Sequence, residues 1–470
     1  MTQLQPDEMW DVLVIGGGGC GLSAAVRAAQ GGARVLLVEK AELLGGNTAY
    51  SVGSIPGAGT RHQKEAGVDD SPRRFRDDLV SHMDGHCDEA IVERLCEVSS
   101  QLIDWLVDDL GITLLLTKDY RHVGHSVTRL HNPPTREGRE LVNGLAAAAE
   151  RHGVTVMTAT PVTRLTKEGA TLTAALETPD GPRVVSAPAA ILATDGFGAD
   201  EAMKEAHAPR LAGLPYYGAP GNTGDGIRWG AALGAQLENM DTYLAYGAMA
   251  QLGDAPASFE SLFSWTVPEK GGIIVDLHGR RFGDEGLGYS AFTDEMIEHA
   301  GGIGHVVFDQ RILDYVTHYE QRFRLLATAP DSPIHVEHNV EALAQHCKIP
   351  AAALATTIEE YNSAALGDAP DPFGRADFGF APLQPPYAIA RITPGVFTTL
   401  GGLTVDGDAQ VLDQAGHPIG GLYAGGGTAA GLSRVSGGRA YVSGVGLLTA
   451  LAFGMLAGSH AARTVAGESA

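Results

Sequence analysis

The stretch from Gly279 to Phe292 reads "GRRFGDEGLGYSAF", with Arg280, Arg281, Asp284, Glu285 and Tyr289 in one glycine-spaced loop. By residue type alone the arginines and the acid pair are acid–base candidates. A tyrosine in the same loop is either a catalyst or an aromatic that lies in a turn. A phenol can hydrogen-bond a carbonyl oxygen without burying a charge, and it acts as a base only if its pKa is lowered by cations or a backbone donor. Histidines offer less. His82 and His86 are four apart with Gly85 between them and no evident third ligand, and His122, His125 and His131 share a polar loop near "NPPTREG".

The second chemical signal lies in "DVLVIGGGGCGLSAAVRAAQGGARVLLVEK", residues 11–40. Its periodicity predicts a strand to Ile15, a helix from Leu22 to Gln30 and a second strand from Ala33 to Val38. Between strand and helix sits Gly16-x-Gly18-x-x-Gly21, and Glu39 ends the second strand. The first glycine permits the tight turn, the second admits a pyrophosphate, and the third lets helix and strand pack closely. A phosphate would sit at the helix N-terminus, and Glu39 is spaced to grip ribose hydroxyls.

FAD rather than NAD follows from what comes next. "KAELLGGNTAYSVGSI" is a loop suited to an extended cofactor, and the strand "GVTVMTATPVTRL", "AAILATDGFG", "NTGDGIRWGAALGA", "GLYAGGGTAAG" and "YVSGVGLLTALAFG" complete a discontinuous FAD domain. The cofactor-binding residues expected on these pieces begin with Gly16, Gly18, Gly19, Gly21, Glu39 and Lys40. They continue with Gly46, Asn47, Thr48, Val52, Gly53 and Val162, then Ala193, Thr194, Gly196 and Asp225. The C-terminal pieces add Gly425, Gly426, Gly446, Leu447 and Leu448.

The 470 residues allow two or three domains, and 44% hydrophobic content supplies a sizeable core. Sixty-two glycines in short clusters between apolar runs fit an α/β protein with many tight turns. A net charge of −23 argues against a nucleic-acid partner. Cys20, Cys87, Cys96 and Cys347 are far apart, which predicts free thiols in a reducing cytoplasm and neither a disulfide framework nor a metal site. The opening "MTQLQPDEMW" predicts no secretory leader, and "YVSGVGLLTALAFGMLAG" reads as a buried helix rather than a membrane span.

The pieces "VIGGGGCGLSAA", "LLGGNTAYSVG", "ATDGFG", "TGDGIRWG", "GRRF", "GGLTVD" and "GLYAGG" occur in this order over nearly the whole chain. In this the sequence resembles the fumarate reductase/succinate dehydrogenase flavoprotein superfamily. The resemblance implies an α/β, two-segment Rossmann-like FAD domain, residues 1–237 and 378–470, with an α+β substrate (cap) domain inserted at 238–377. No histidine occupies "NTAYSVG", where membrane-complex members tether flavin, so the resemblance implies non-covalent FAD.

Fumarate reductases carry an arginine acid a few residues after "GxRF"; counting forward here reaches Tyr289. Where they carry paired histidines before "MGG", this chain has "GVFTTLGG", with Phe397 and Thr398 at the substrate position. A tyrosine after "GRRF", with Tyr441 and Ser443 in "RAYVSGVG", is instead similar to the 4,5-desaturating 3-ketosteroid dehydrogenases. That resemblance implies removal of two hydrogens from the carbons α and β to a cyclic ketone. Tyr289 is assigned as base, Tyr441 as carbonyl donor and Ser443 as helper, with the two tyrosine roles interchangeable. The arginines of the "GRRF" loop are expected to brace it through Asp284 or Glu285. Arg439 and Arg434 are candidate clamps for a carboxylated ring such as an oxocyclohexanecarboxylate. The electron acceptor is not readable, and the alternatives are an ene-reductase running the reverse reaction and a flavin redox carrier without small-molecule turnover.

Overall fold

The strand Val12–Ile15 is buried on both faces, as its unbroken "VLVI" requires, and it forms the centre of a six-stranded sheet. The computed structural model describes residues 8–118, 121–250 and 261–467. The first seven residues of the opening stretch and residues 251–260 of the insert lie outside this description. Val35–Val38 and Thr155–Met157 flank the central strand on one side, and Ala189–Leu192 and Pro418–Ala424 on the other, all parallel. Gln410–Leu412 closes that side antiparallel. The chain thus builds one Rossmann-like layer from both of its ends.

Two helices seal the layer. Gly19–Gln30 follows the glycine turn, and Val445–Ala466 packs directly on it. The close approach requires glycine: a Cβ on Gly454 or Gly458 would lie 2.3 or 2.2 Å from the carbonyl oxygens of Cys20 and Ala24. The C-terminal helix has 22 residues and the length and apolarity of a membrane span, but its most apolar window is 72% buried inside the protein. It is a core helix.

"GVTVMTATPVTRL" is two strands rather than one. Thr155–Met157 edges the main sheet, whereas Val162–Glu168 joins an antiparallel sheet with Thr171–Thr178 and Gly181–Ala187. Ala159 at a φ of +48°, followed by Pro161, turns the chain between them.

The cap is an antiparallel sheet of Tyr243–Ala250, Ile273–Val275, Gly304–Asp309, Ile334–Glu337 and Tyr387–Thr399. It has its own core around Phe263, Phe292, Phe308 and Phe323. The sheet takes its longest strand, Tyr387–Thr399, from beyond residue 377, so the hydrogen-bonded cap extends to Thr399.

Candidate active site

One cleft of about 590 Å³ runs from the glycine turns to the aromatic residues of the cap. Its nucleotide end is built as the spacing demands. Gly16 takes a φ of +109° with its α-carbon against Ala193, and a Cβ on Gly21 would lie 1.8 Å from the Gly16 carbonyl oxygen. A Cβ on Gly18 would meet nothing closer than 3.7 Å, so its backbone stands open to the cleft. Glu39 closes the turn, accepting the N–H of Gly17 at 2.7 Å and of Ala41 at 2.8 Å. Lys40 bonds Asp225 at 2.7 Å and Thr223 at 2.9 Å, and Thr48 accepts the Gly19 N–H at 3.1 Å.

Gly16, Gly18, Gly19, Glu39, Lys40, Gly46, Asn47, Thr48, Val52, Val162, Ala193, Thr194, Asp225, Gly426, Gly446 and Leu447 all line this cleft. Gly21, Gly53, Gly196, Gly425 and Leu448 do not. These five stand one layer behind, because close packing fills their surroundings. Gly53 meets Pro133, Gly196 meets Thr399, Gly425 meets Cys20, and Leu448 is fully buried in the core.

The open Gly18 backbone, the acid at the ribose position and the cleft's length fit a dinucleotide. Asp195 supports the same wall from a left-handed φ of +61°, which a non-glycine residue rarely adopts. It is a carboxylate raised by burial, and it accepts bonds from Gly196, Asn222 and Thr398 at 2.8, 3.0 and 3.3 Å. Its place inside "ATDGFG" was the signal by which sequence reading could have included it.

At the other end the cap brings Tyr289 to residues more than a hundred positions away. Gly288, at φ 92° and ψ 162°, turns the chain so that Tyr289 is the first residue of the helix Tyr289–His299. Its Oη lies 3.2 Å from Ser443 Oγ, and its ring centroid lies 6.2 Å from that of Tyr441. Tyr246, which no motif flagged, stacks on Tyr289 at 5.1 Å and is fixed through its hydroxyl to Phe263 and Trp265. Phe397 and Thr398 also line the cleft, with Leu244, Leu262, Leu400 and His122. Neither leucine of the cap, Leu244 or Leu262, carries a sequence signal, since each reads as ordinary core.

The phenols are not tuned downward. Burial pushes Tyr289 up to about 12, with the Ser443 hydrogen bond pulling back, and no cation acts on it. Burial raises Tyr441 further, opposed by the backbone N–H groups of Gly444 and Gly446 at the start of the C-terminal helix. The expectation of a depressed tyrosine pKa is therefore corrected: both are protonated at neutral pH.

Arg281 does brace the loop, through Glu285 at 2.7 Å and Asp371 at 2.5 Å, and Arg375 completes the cluster at 3.1 Å from Glu285. Asp284 instead caps the short turn, accepting the Gly286 N–H at 2.8 Å, and Arg280 is exposed. The proposed clamps fail geometrically. Neither Arg434 nor Arg439 lines the cleft. Arg439 is drawn to Glu295 at 2.5 Å, and the half-exposed Arg434 lies 3.6 Å from Asp88 and 3.8 Å from Glu238.

The family model described as "FAD binding domain" matches residues 11–439. The chain belongs to this FAD-binding family. The protein is an FAD-dependent oxidoreductase acting on carbon–carbon bonds, and the residues around Gly18 and Glu39 would hold its cofactor. As a member of the FAD-binding family it is 28% identical to a probable fumarate reductase of Shewanella frigidimarina, over 97% of this chain and 76% of that protein. It is also 28% identical to a 4-oxocyclohexanecarboxylate 2-dehydrogenase of Sinomonas cyclohexanicum, over 99% of this chain and 94% of that protein. Among solved structures it resembles the 3-ketosteroid-Δ4-(5α)-dehydrogenase of Rhodococcus jostii RHA1 in complex with 4-androstene-3,17-dione. There the identity is 26%, the coverage 98% of both chains and the TM-score 0.78.

Proposed function

We propose that the protein is a dehydrogenase that introduces a C=C bond α,β to the carbonyl of an uncharged cyclic ketone. The observation that carries this is the Tyr289–Ser443 hydroxyl pair with the Tyr441 ring beside it, in a cleft whose cations are committed elsewhere. The only lysine and arginine among the described lining residues are Lys40 and Arg139. Lys40 is bonded to Asp225 and Arg139 to the Leu44 carbonyl at 2.6 Å, both in the nucleotide segments. His122, pulled down to about 3 by burial, is neutral. Among the described lining residues, no lysine or arginine other than Lys40 and Arg139 offers a substrate carboxylate a charged partner.

An α C–H is acidic only when the enolate oxygen is stabilised, so one hydroxyl must donate to the carbonyl and another group must take the proton. Tyr441 is assigned the donation. Tyr289 takes the α-proton in its ionised form, a small fraction at neutral pH, because it is the less raised phenol and Ser443 can donate to the phenolate oxygen until the proton arrives. Bound FAD supplies the acceptor for the β-hydrogen, which leaves as hydride. Phe397 and Tyr289 line the cleft as an aromatic wall for the ring, and Tyr246 packs behind both of them. One observation favours the reverse reaction as a second reading: phenols protonated at neutral pH suit proton donation to an enone.

Anaerobic mixing of holoenzyme with a saturated 3-oxosteroid or with 4-oxocyclohexanecarboxylate tests the proposal. Loss of flavin absorbance is expected with the neutral ketone. Bleaching by the carboxylate alone would overturn the uncharged class, and bleaching by neither would overturn desaturation.

A further inference from the structure

Ser443 offers its hydroxyl to Tyr289, while one remote loop holds its main chain on both sides. Its N–H donates to the Val123 carbonyl at 3.3 Å, and its own carbonyl lies 2.8 Å from His125 Nε2. The far side of the imidazole fixes the direction of that second bond. His125 Nδ1 lies 3.0 Å from Arg129 Nη1, and a guanidinium only donates. Nδ1 is therefore the acceptor, the ring proton sits on Nε2, and it points at the Ser443 carbonyl.

The arrangement is built in depth. His125 is 6% and Arg129 1% exposed. Arg129 grips Asp70 with two bonds of 2.8 Å and reaches Asp78 at 2.9 Å. Asp78 in turn accepts the N–H of Ser126 at 2.8 Å, next to the histidine. The guanidinium also lies over the Phe75 ring at 4.4 Å. Burial pulls His125 down to about 4, so it keeps its single proton through the neutral range.

We infer that His125 is a positioning residue for the Tyr289–Ser443 hydroxyl pair, with Arg129 locking the imidazole in the Nε2–H form. The inference rests on the reading that this pair meets the substrate. Neither His125 nor Arg129 lines the cleft, so the effect on the hydroxyl pair passes through the Ser443 peptide. A displacement of about 1 Å at a reacting group can cost about 10²-fold in rate.

The test compares His125→Phe, which keeps a ring and removes both nitrogens, with His125→Gln, which keeps a donor and an acceptor. Turnover of a saturated 3-oxosteroid by holoenzyme with an artificial electron acceptor is the assay. H125F is expected to lower kcat by about 10- to 10²-fold with KM little changed, and H125Q to recover most of that loss. The deciding measurement repeats H125F in a Ser443→Ala background, where it should cost almost nothing more because the hydroxyl it positions is gone. An equal cost in both backgrounds would overturn the inference. If S443A alone left turnover unchanged, the hydroxyl-pair reading would fall first and this one with it. Should H125F not fold with FAD, imidazole nitrogen NMR on the wild type still decides: a proton on Nδ1 contradicts the lock, and a bare Nδ1 supports it.

Discussion

Arg439 pairs with Glu295 at 2.5 Å and so ties the loop that carries Tyr441 to the cap helix that begins at Tyr289. One residue earlier in that helix, Asp294 makes a deeper tie, accepting the Tyr243 phenol at 2.5 Å and the Gly438 N–H at 3.1 Å. The two tyrosines thus hold their spacing through contacts between domains that never touch the cleft.

Arg439→Ala is expected to act as loss of a surface tie and not of a substrate contact. Its side chain is 54% exposed, and such pairs contribute about 0–1 kcal/mol. kcat/KM should fall by the same small factor for neutral and carboxylated ketones. A selective loss for the carboxylated substrate would restore the clamp.

Tyr289→Phe should retain FAD and lose about 10²- to 10⁴-fold in turnover, the usual contribution of a positioned acid or base. With the phenol pushed up to about 12, its ionised fraction rises tenfold per pH unit through the neutral and mildly alkaline range. Dehydrogenation should therefore accelerate with pH without a plateau below pH 10. A rate independent of pH from 7 to 10 would remove Tyr289 as the base.

Glu285→Ala should be the most destabilising change in the "GRRF" loop. The carboxylate is fully buried between Arg281 and Arg375, and it accepts the Ile274 N–H at 2.9 Å. Its removal leaves two buried guanidinium groups short of charge, at a cost of about 3–5 kcal/mol. Urea unfolding with the wild-type midpoint would contradict this.

Acid should unfold the protein well before its carboxylates titrate fully. Burial pulls His122 down to about 3, and His125 and His131 to about 4. Because the folded values lie below the unfolded one, the stability these rings confer is complete above about pH 6.5 and is lost as pH falls toward 4. While all three take up protons only on unfolding, stability changes by up to about 4 kcal/mol per pH unit. A melting temperature constant between pH 7 and 4.5 would refute this.

The nucleotide end was legible because its geometry is enforced within a few residues. Gly16, Gly18 and Gly21 follow from backbone clearances inside one turn, and Glu39 from the length of one strand–helix–strand unit. The partner of Arg439 was not legible, since it depends on how the cap helix lies against a loop from the far end of the chain. The tyrosine pKa values were hidden for a similar reason. Burial decides them, and burial comes from Tyr246 and Trp265, which sequence patterning cannot distinguish from other core aromatics. His125 stood in a visible polar loop, but its meaning lies in Arg129 on one side and the Ser443 peptide on the other.

The position of Ala189–Leu192 between Val12–Ile15 and Pro418–Ala424 sets an order of events during synthesis. During synthesis, the outer edge of Ala189–Leu192 stays open, and so does the face of Gly19–Gln30 that takes Val445–Ala466, until residues 418–466 have emerged. The cap strands, all between Tyr243 and Thr399, pair among themselves sooner. The nucleotide half is thus completed only by segments from distant parts of the chain, whereas the cap strands come from one continuous stretch.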